Sequence, residues 1–161
     1  MPGSNSAELV LLRHGIAEPR QAGRDHPDRP LTAAGRQRTQ LVMAALVQRG
    51  LRLDRLLTSP YRRALQTAEL ALEAGLSSAL AVDERLEPGG ALETVLTPFD
   101  GAIGLVGHEP DLGDLACGLL GCPQGGLVLK KAGVIQLRRS AGQWQLKALL
   151  RPALLIDELS C

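Results

Sequence analysis

The stretch Leu9-Val10-Leu11-Leu12-Arg13-His14-Gly15 sets four consecutive apolar residues against an abrupt polar end. A run that short and unbroken reads as a strand buried on both faces. Residues 16–30 follow, rich in Pro, Gly, Asp and Arg, and read as a loop. Thr32 then caps a helix whose apolar positions Leu41, Val42, Ala45 and Leu46 recur at helical spacing, and Gly50 stops it. The same strand-to-helix pattern returns twice. Leu53 to Thr58 reads as a strand followed at once by Ser59-Pro60, where Ser fits an N-cap and Pro the first helical position of a helix over about 60–74, with Tyr61, Ala64, Leu65, Ala68 and Leu72 on one side. Ala102 to Val106 reads as a strand ended by Gly107-His108, with Pro110 opening a helix to about Leu120.

Around these three junctions the pattern is weaker. Ala79 to Val82 reads as a short strand, Glu87-Pro88-Gly89-Gly90 as a loop and Leu92 to Leu96 as a short helix. Val134 to Arg138 and Trp144 to Leu150 read as a hairpin around Ala141-Gly142. Beyond it, Leu149-Leu150-Arg151-Pro152-Ala153-Leu154 fits either a strand end or a packing segment. Strands alternating with helices point to one α/β domain with a largely parallel central sheet over residues 1–161, residues 1–7 being expected as a flexible N-terminus.

Composition narrows the function. With 161 residues the chain is long enough to bury a core without staples. The aromatics are Phe99, Tyr61 and Trp144, so Leu, Val and Ala must build that core, and no base-stacking platform is available. The net charge of +1, from 18 basic and 17 acidic residues, gives no global field for nucleic acid. Met1-Pro2-Gly3-Ser4-Asn5-Ser6 lacks the features of a signal peptide, and no segment is apolar for long enough to cross a bilayer. The expectation is a cytoplasmic protein without membrane or nucleic-acid partners. Cys117, Cys122 and Cys161 lack the paired spacing of a disulfide framework and read as ordinary thiols, with a metal pair or redox switch as the other reading of the first two.

In an open α/β sheet, ligands bind at the carboxyl ends of the strands. If the three strands are parallel, His14, His108, Arg13 and at least two arginines from Arg62 and Arg63 onward meet at one edge, with free N–H groups at the start of the second helix. A metal fits poorly. Arg13 and Arg63 would repel it, and no carboxylate pair or Cys cluster completes a ligand set. A phosphate fits, because the guanidinium fork matches its oxygens. Taken singly, each feature has an ordinary explanation: turn chemistry for Arg13-His14-Gly15, a satisfied histidine for His108, a solvated face for Arg62 and Arg63.

Four ordered motifs carry a family resemblance. Leu11-Leu12-Arg13-His14-Gly15, Leu31-Thr32-Ala33-Ala34-Gly35, Thr58-Ser59-Pro60-Tyr61-Arg62-Arg63-Ala64-Leu65-Gln66-Thr67-Ala68 and Val106-Gly107-His108-Glu109-Pro110 resemble the signatures of the histidine phosphatase superfamily, relatives of phosphoglycerate mutase. The short chain, Asp28-Arg29-Pro30-Leu31-Thr32 and the Gly-His-Glu-Pro form of the last motif are similar to the SixA phosphohistidine phosphatases. The resemblance implies a three-layer, phosphoglycerate-mutase-like α/β sandwich with an open site and no cofactor. It also implies roles. His14 would attack phosphorus, with its other ring nitrogen held by a backbone carbonyl near Gly15. Arg13 and Arg63 would clamp the phosphoryl oxygens, with Gly15 and the weaker candidate Arg62 beside them. His108 would donate to the same group as an imidazolium.

Many superfamily members carry a glutamate where this chain has Pro88 in Arg85-Leu86-Glu87-Pro88. Glu87 is left either as a substitute acid or as a solvated loop residue, and Glu109 reads as a charge at a helix start. An imidazole leaving group needs a strong enzymatic acid less than an alcohol does. The expected substrate is therefore phosphohistidine on a signalling or carrier protein. A small phosphoester and a non-catalytic phosphate-binding module are the alternatives.

Overall fold

The computed structural model describes residues 6–156. The opening run forms β1 (Ala7–Arg13), and Ala7, Leu9, Val10, Leu11 and Leu12 are all fully buried. Side chains alternate across a strand. Val10 and Leu12 therefore enter one apolar cluster, with Val42, Met43, Leu46, Ala64 and Ala68, while Leu9 and Leu11 enter another, with Leu105, Leu112, Ala116 and Leu129. One strand serving two cores is the middle layer of a three-layer sandwich. The flexible segment expected over residues 1–7 is corrected at its end, since Ala7 already pairs in the sheet; residues 1–5 lie outside the described residues.

The remaining elements are α1 (Ala33–Gln48), β2 (Arg55–Thr58), α2 (Arg62–Glu73), β3 (Leu80–Val82), β4 (Gly101–Gly107), α3 (Asp111–Leu120), β5 (Val134–Ser140), β6 (Gln143–Leu150) and α4 (Pro152–Leu155). Two short 3₁₀ turns, Glu84–Leu86 and Leu92–Val95, link β3 to β4. The sheet runs β3-β2-β4-β1-β5-β6. Its first four strands are parallel, and β5 and β6 join as the antiparallel hairpin. Ala141 and Gly142 turn that hairpin with φ of 50° and 78°, the positive pair that matches strand twist. α1, α2 and α4 supply one face, α3 and the 3₁₀ turns the other. The ambiguous C-terminal stretch thus ends β6 and then packs Leu155 into the core.

Thr32 caps α1 as expected, its Oγ1 accepting from the Gly35 N–H at 2.9 Å. The buried stripe of α1 runs through Thr39, Val42, Met43 and Leu46, so Leu41 falls off it and is 52% exposed. α2 starts later than expected. Tyr61 precedes its first residue, and the Ser59 hydroxyl accepts from the Tyr61 N–H at 3.2 Å as well as from His108. Leu72 is also on the solvent side, because the buried stripe follows Arg63, Ala64, Thr67, Ala68 and Ala71. Cys117 is buried and Cys122 half-buried, both as free thiols, and the Cys117 partner hydrogen bond raises the Cys122 thiol pKa. Cys161 lies outside the described residues.

Register decides where the chemistry goes. Arg13 lies opposite Gly107, and Thr58 opposite Val106, so β1, β2 and β4 end at one edge. The His14 N–H donates to the Gly107 carbonyl at 3.1 Å and the Ser59 N–H to the Val106 carbonyl at 3.0 Å. The segments carrying His14, Ser59 and His108 are thereby tied together by main-chain bonds.

Candidate active site

At that edge opens a cavity of about 280 Å³, lined in part by Arg13, His14, Arg63 and His108. His14 and His108 are 6% and 3% exposed, with ring centroids 5.2 Å apart. Arg63, 2% exposed, is the charged group between them.

The protons on both rings follow from what an arginine can do, since its N–H groups only donate. Arg63 Nε donates to His14 Nε2 at 3.2 Å, so that nitrogen carries a lone pair. The proton of the neutral ring then sits on Nδ1, which donates to the Gly15 carbonyl at 2.7 Å. Arg63 also donates through Nη2 to His108 Nδ1 at 3.3 Å, so the His108 proton sits on Nε2 and is donated to Ser59 Oγ at 2.8 Å. Burial is the main force pushing the His14 pKa down to about 3, with the charges of His108, Arg63 and Arg13 adding to it and the Gly15 carbonyl opposing. Burial likewise brings His108 to about 3, followed by the charge of Arg63. His108 is therefore neutral in the resting site; a bound phosphoryl dianion is what would favour the imidazolium expected of it in the complex.

A buried guanidinium must be paired. Arg63 is paired by Asp25 Oδ2 at 2.8 Å and held by the His26 carbonyl at 3.4 Å. Asp25 also takes Arg29 at 2.7 Å. Burial works against ionising Asp25, but the hydrogen bond from Arg29 and the charges of both arginines outweigh it and keep its pKa below the usual carboxylate range. The loop carrying these groups is closed at its neck by Glu18 N–H to Pro30 carbonyl and Thr32 N–H to Ile16 carbonyl bonds, at 2.9 and 3.0 Å.

Arg13 is anchored from the other side. Its Nη1 donates to the Leu129 carbonyl at 2.8 Å, while its buried Nε has no partner. The Leu129 N–H in turn donates to Glu109, whose other oxygen accepts from Gly113 N–H at 2.7 Å in the first turn of α3. A Cβ at position 113 would lie 2.4 Å from the Leu127 carbonyl, so only glycine admits this approach. Glu109 thus sits at the helix start, as its sequence position suggested, and also stabilises the Arg13 anchor.

Three expected contributors are placed differently. Gly15 spends its N–H on Thr67 Oγ1 at 3.0 Å and its carbonyl on His14, and does not line the cavity; its own packing is tight, with a Cβ there 2.2 Å from Thr39 Oγ1. Arg62 is exposed and does not line the cavity. The first N–H groups of α2 are also engaged, Arg62 with the Pro27 carbonyl and Ala64 and Leu65 with Tyr61. Glu87 is half-buried outside the lining, whereas Pro88 is part of it.

Asp25, Ser59 and Thr67 were not singled out from sequence. Thr67 had a legible signal, lying one helical turn after Arg63; its hydroxyl donates to the Arg63 carbonyl at 2.8 Å. Asp25 had none, because its partner is 38 residues away. Together the groups make a cationic pocket in which two neutral imidazoles each direct a lone pair at Arg63. Such a pocket suits an anion whose central atom can accept a nucleophile. Among the described residues no group of three or more His, Cys, Asp or Glu could hold a metal, and no helix is long and apolar enough to cross a membrane.

Known proteins share this fold. The chain is 42% identical over 146 residues to an uncharacterised protein of Picosynechococcus sp. (strain ATCC 27264 / PCC 7002 / PR-6), covering 86% of this chain and 88% of the relative. Its fold superposes on the protein histidine phosphatase SixA complexed with tungstate with a TM-score of 0.79 at 23% identity, covering 92% of this chain and 99% of that one. It superposes on a phosphoserine phosphatase of Entamoeba histolytica with a TM-score of 0.73 at 17% identity, covering 93% and 100%. The model of the histidine phosphatase superfamily (branch 1) matches residues 9–88, the span that holds β1, the Asp25 loop, Arg63 and Pro88, and the chain belongs to that superfamily.

Proposed function

We propose that this protein is a metal-independent phosphatase that dephosphorylates phosphohistidine on a protein, through a phosphoryl intermediate on His14. The observation that carries the reading is the bond from Arg63 Nε to His14 Nε2 at 3.2 Å, which leaves a lone pair on a buried neutral imidazole beside the Arg13 and Arg63 clamp. An incoming phosphoryl group takes over the Arg63 and Arg13 donors as its oxygens enter. His14 Nε2 then attacks phosphorus in line, and the P–N bond breaks with its electron pair returning to the substrate nitrogen, the substrate ring leaving as neutral imidazole because its other nitrogen carries a proton. Water attacks the intermediate, releasing inorganic phosphate and restoring His14. Catalysis here is positioning and charge stabilisation by preset donors. His108 contributes to the same oxygens, and Ser59 orients its ring.

The leaving group is argued from the carboxylates. Pro88 lines the cavity where an acid would otherwise stand, Asp25 is held ionised by two arginines, and Glu109 is bound to two main-chain N–H groups. A poor supply of protons suits an imidazole better than an alkoxide. The similarity in fold to SixA supports the same substrate class, and that to the phosphoserine phosphatase supports a small phosphomonoester as the second reading. A ³²P-phosphohistidine carrier protein and a panel of phosphate esters distinguish them. Loss of label from the protein with wild type but not with His14→Ala supports the first reading. Ester turnover above about 10⁴ M⁻¹s⁻¹ in kcat/KM with a stable protein label supports the second.

A further inference from the structure

The cavity is lined by more cationic side chains than the phosphoryl clamp uses. Its lining includes Arg13, Arg20, Arg29, Arg63 and Lys131 against Glu18, Asp25 and Glu109. Arg29 is neutralised by Asp25, and Arg13 and Arg63 form the clamp. Arg20 and Lys131 are left. Both are exposed, and neither has a hydrogen-bond or ion-pair partner among the described residues.

Their positions come from different parts of the chain. Arg20 rides on the loop after β1. Lys131 precedes Ala132, whose N–H reaches the Arg13 and His14 carbonyls at 3.2 and 3.1 Å, while the Arg13 N–H donates to Gly133. The main chain beside Lys131 is therefore tied to the nucleophile segment itself. We propose that Arg20 and Lys131 form a second anion subsite that binds a carboxylate on the substrate, namely an acidic side chain flanking the phosphohistidine. This rests on the protein-phosphohistidine reading above. The electrostatics agree: burial and the charges of Arg13, Arg29, Arg63 and Arg20 lower the Lys131 pKa, so an anion arriving there relieves like-charge repulsion.

The test uses two phosphohistidine peptides that differ only in Asp or Asn next to the phosphorylated residue, assayed at low ionic strength. Wild type is expected to favour the Asp peptide by roughly fivefold to tenfold in kcat/KM, the scale of one or two exposed ion pairs. Lys131→Gln and Arg20→Gln bring that ratio toward one through KM rather than kcat, and Lys131→Arg restores it. Equal hydrolysis of both peptides by wild type overturns the subsite and leaves the phosphohistidine reading standing. Resistance of both peptides, with O-phosphoserine turned over faster than O-phosphoethanolamine, moves the carboxylate to a small molecule and overturns both.

Discussion

Arg63 Nε points at His14 Nε2 across 3.2 Å, although the two residues are 49 positions apart. That contact does two things at once. It keeps the imidazole in the tautomer with Nε2 unprotonated, and it sets Arg63 where the proposed function needs a clamp for phosphoryl oxygens. Arg63→Lys keeps the charge but loses the fork that reaches His14, His108 and Asp25 together. Its kcat should fall by about 10²–10³, the scale seen when one preset donor is removed from an active site. A kcat within threefold of wild type would mean that charge alone suffices.

Asp25 is paired with the guanidinium that the proposed function assigns to the phosphoryl group. Its carboxylate sits 2.8 Å from Arg63 Nη2, within the cavity lining. Asp25→Asn removes that negative charge, so inorganic phosphate should bind about fivefold more tightly by titration calorimetry, the value of a partly exposed ion pair. Weaker binding would instead assign Asp25 to holding Arg63 in place.

Thr67 ties the two arms of the site, accepting from Gly15 N–H and donating to the Arg63 carbonyl. Thr67→Val preserves shape and leaves the Gly15 N–H buried without a partner. The variant should lose about 1–3 kcal/mol of stability by urea denaturation and more than a factor of about ten in kcat, whereas Thr67→Ser should keep most of both. A Val variant with reduced stability and unchanged kcat would separate the bond from catalysis.

Protonation of the two buried histidines gives stability a definite pH slope. Their native pKa values of about 3 lie below the unfolded value of 6.5. Between those limits the unfolded chain binds more protons, so stability is fully present above pH 6.5 and declines as pH falls toward 3. Each histidine contributes a slope of at most about 1.4 kcal/mol per pH unit inside that window. Urea midpoints at pH 7.5 and 5.0 should therefore differ, and His108→Gln should flatten the difference. An unchanged midpoint across that range would show that neither ring is held neutral.

Much of this site could be read before the fold was known. Leu9 to Leu12 were legible as a doubly buried strand because an unbroken apolar run has no exposed face, and β1 fills both cores. Once the three junctions were seen, sheet topology brought His14, Arg63 and His108 together. Local signals misled where one side chain had two uses. Ser59 has the composition of an N-cap, and its hydroxyl does accept from the Tyr61 N–H, but it also takes His108, and regular α2 starts only at Arg62. Leu41 fits an apolar period that is displaced by one residue from the face α1 buries. Asp25 and Lys131 were illegible because their importance comes from charges brought in by distant loops, which leave no local pattern.

The phosphoryl intermediate on His14 is the central claim, and rapid quench with a ³²P-labelled phosphohistidine protein tests it directly. Wild type should yield an acid-labile, base-stable label on the enzyme, mapping by mass spectrometry to the peptide that holds His14 and absent from His14→Ala. Turnover of the substrate with no such label on wild type, or with the label intact in His14→Ala, would contradict the account.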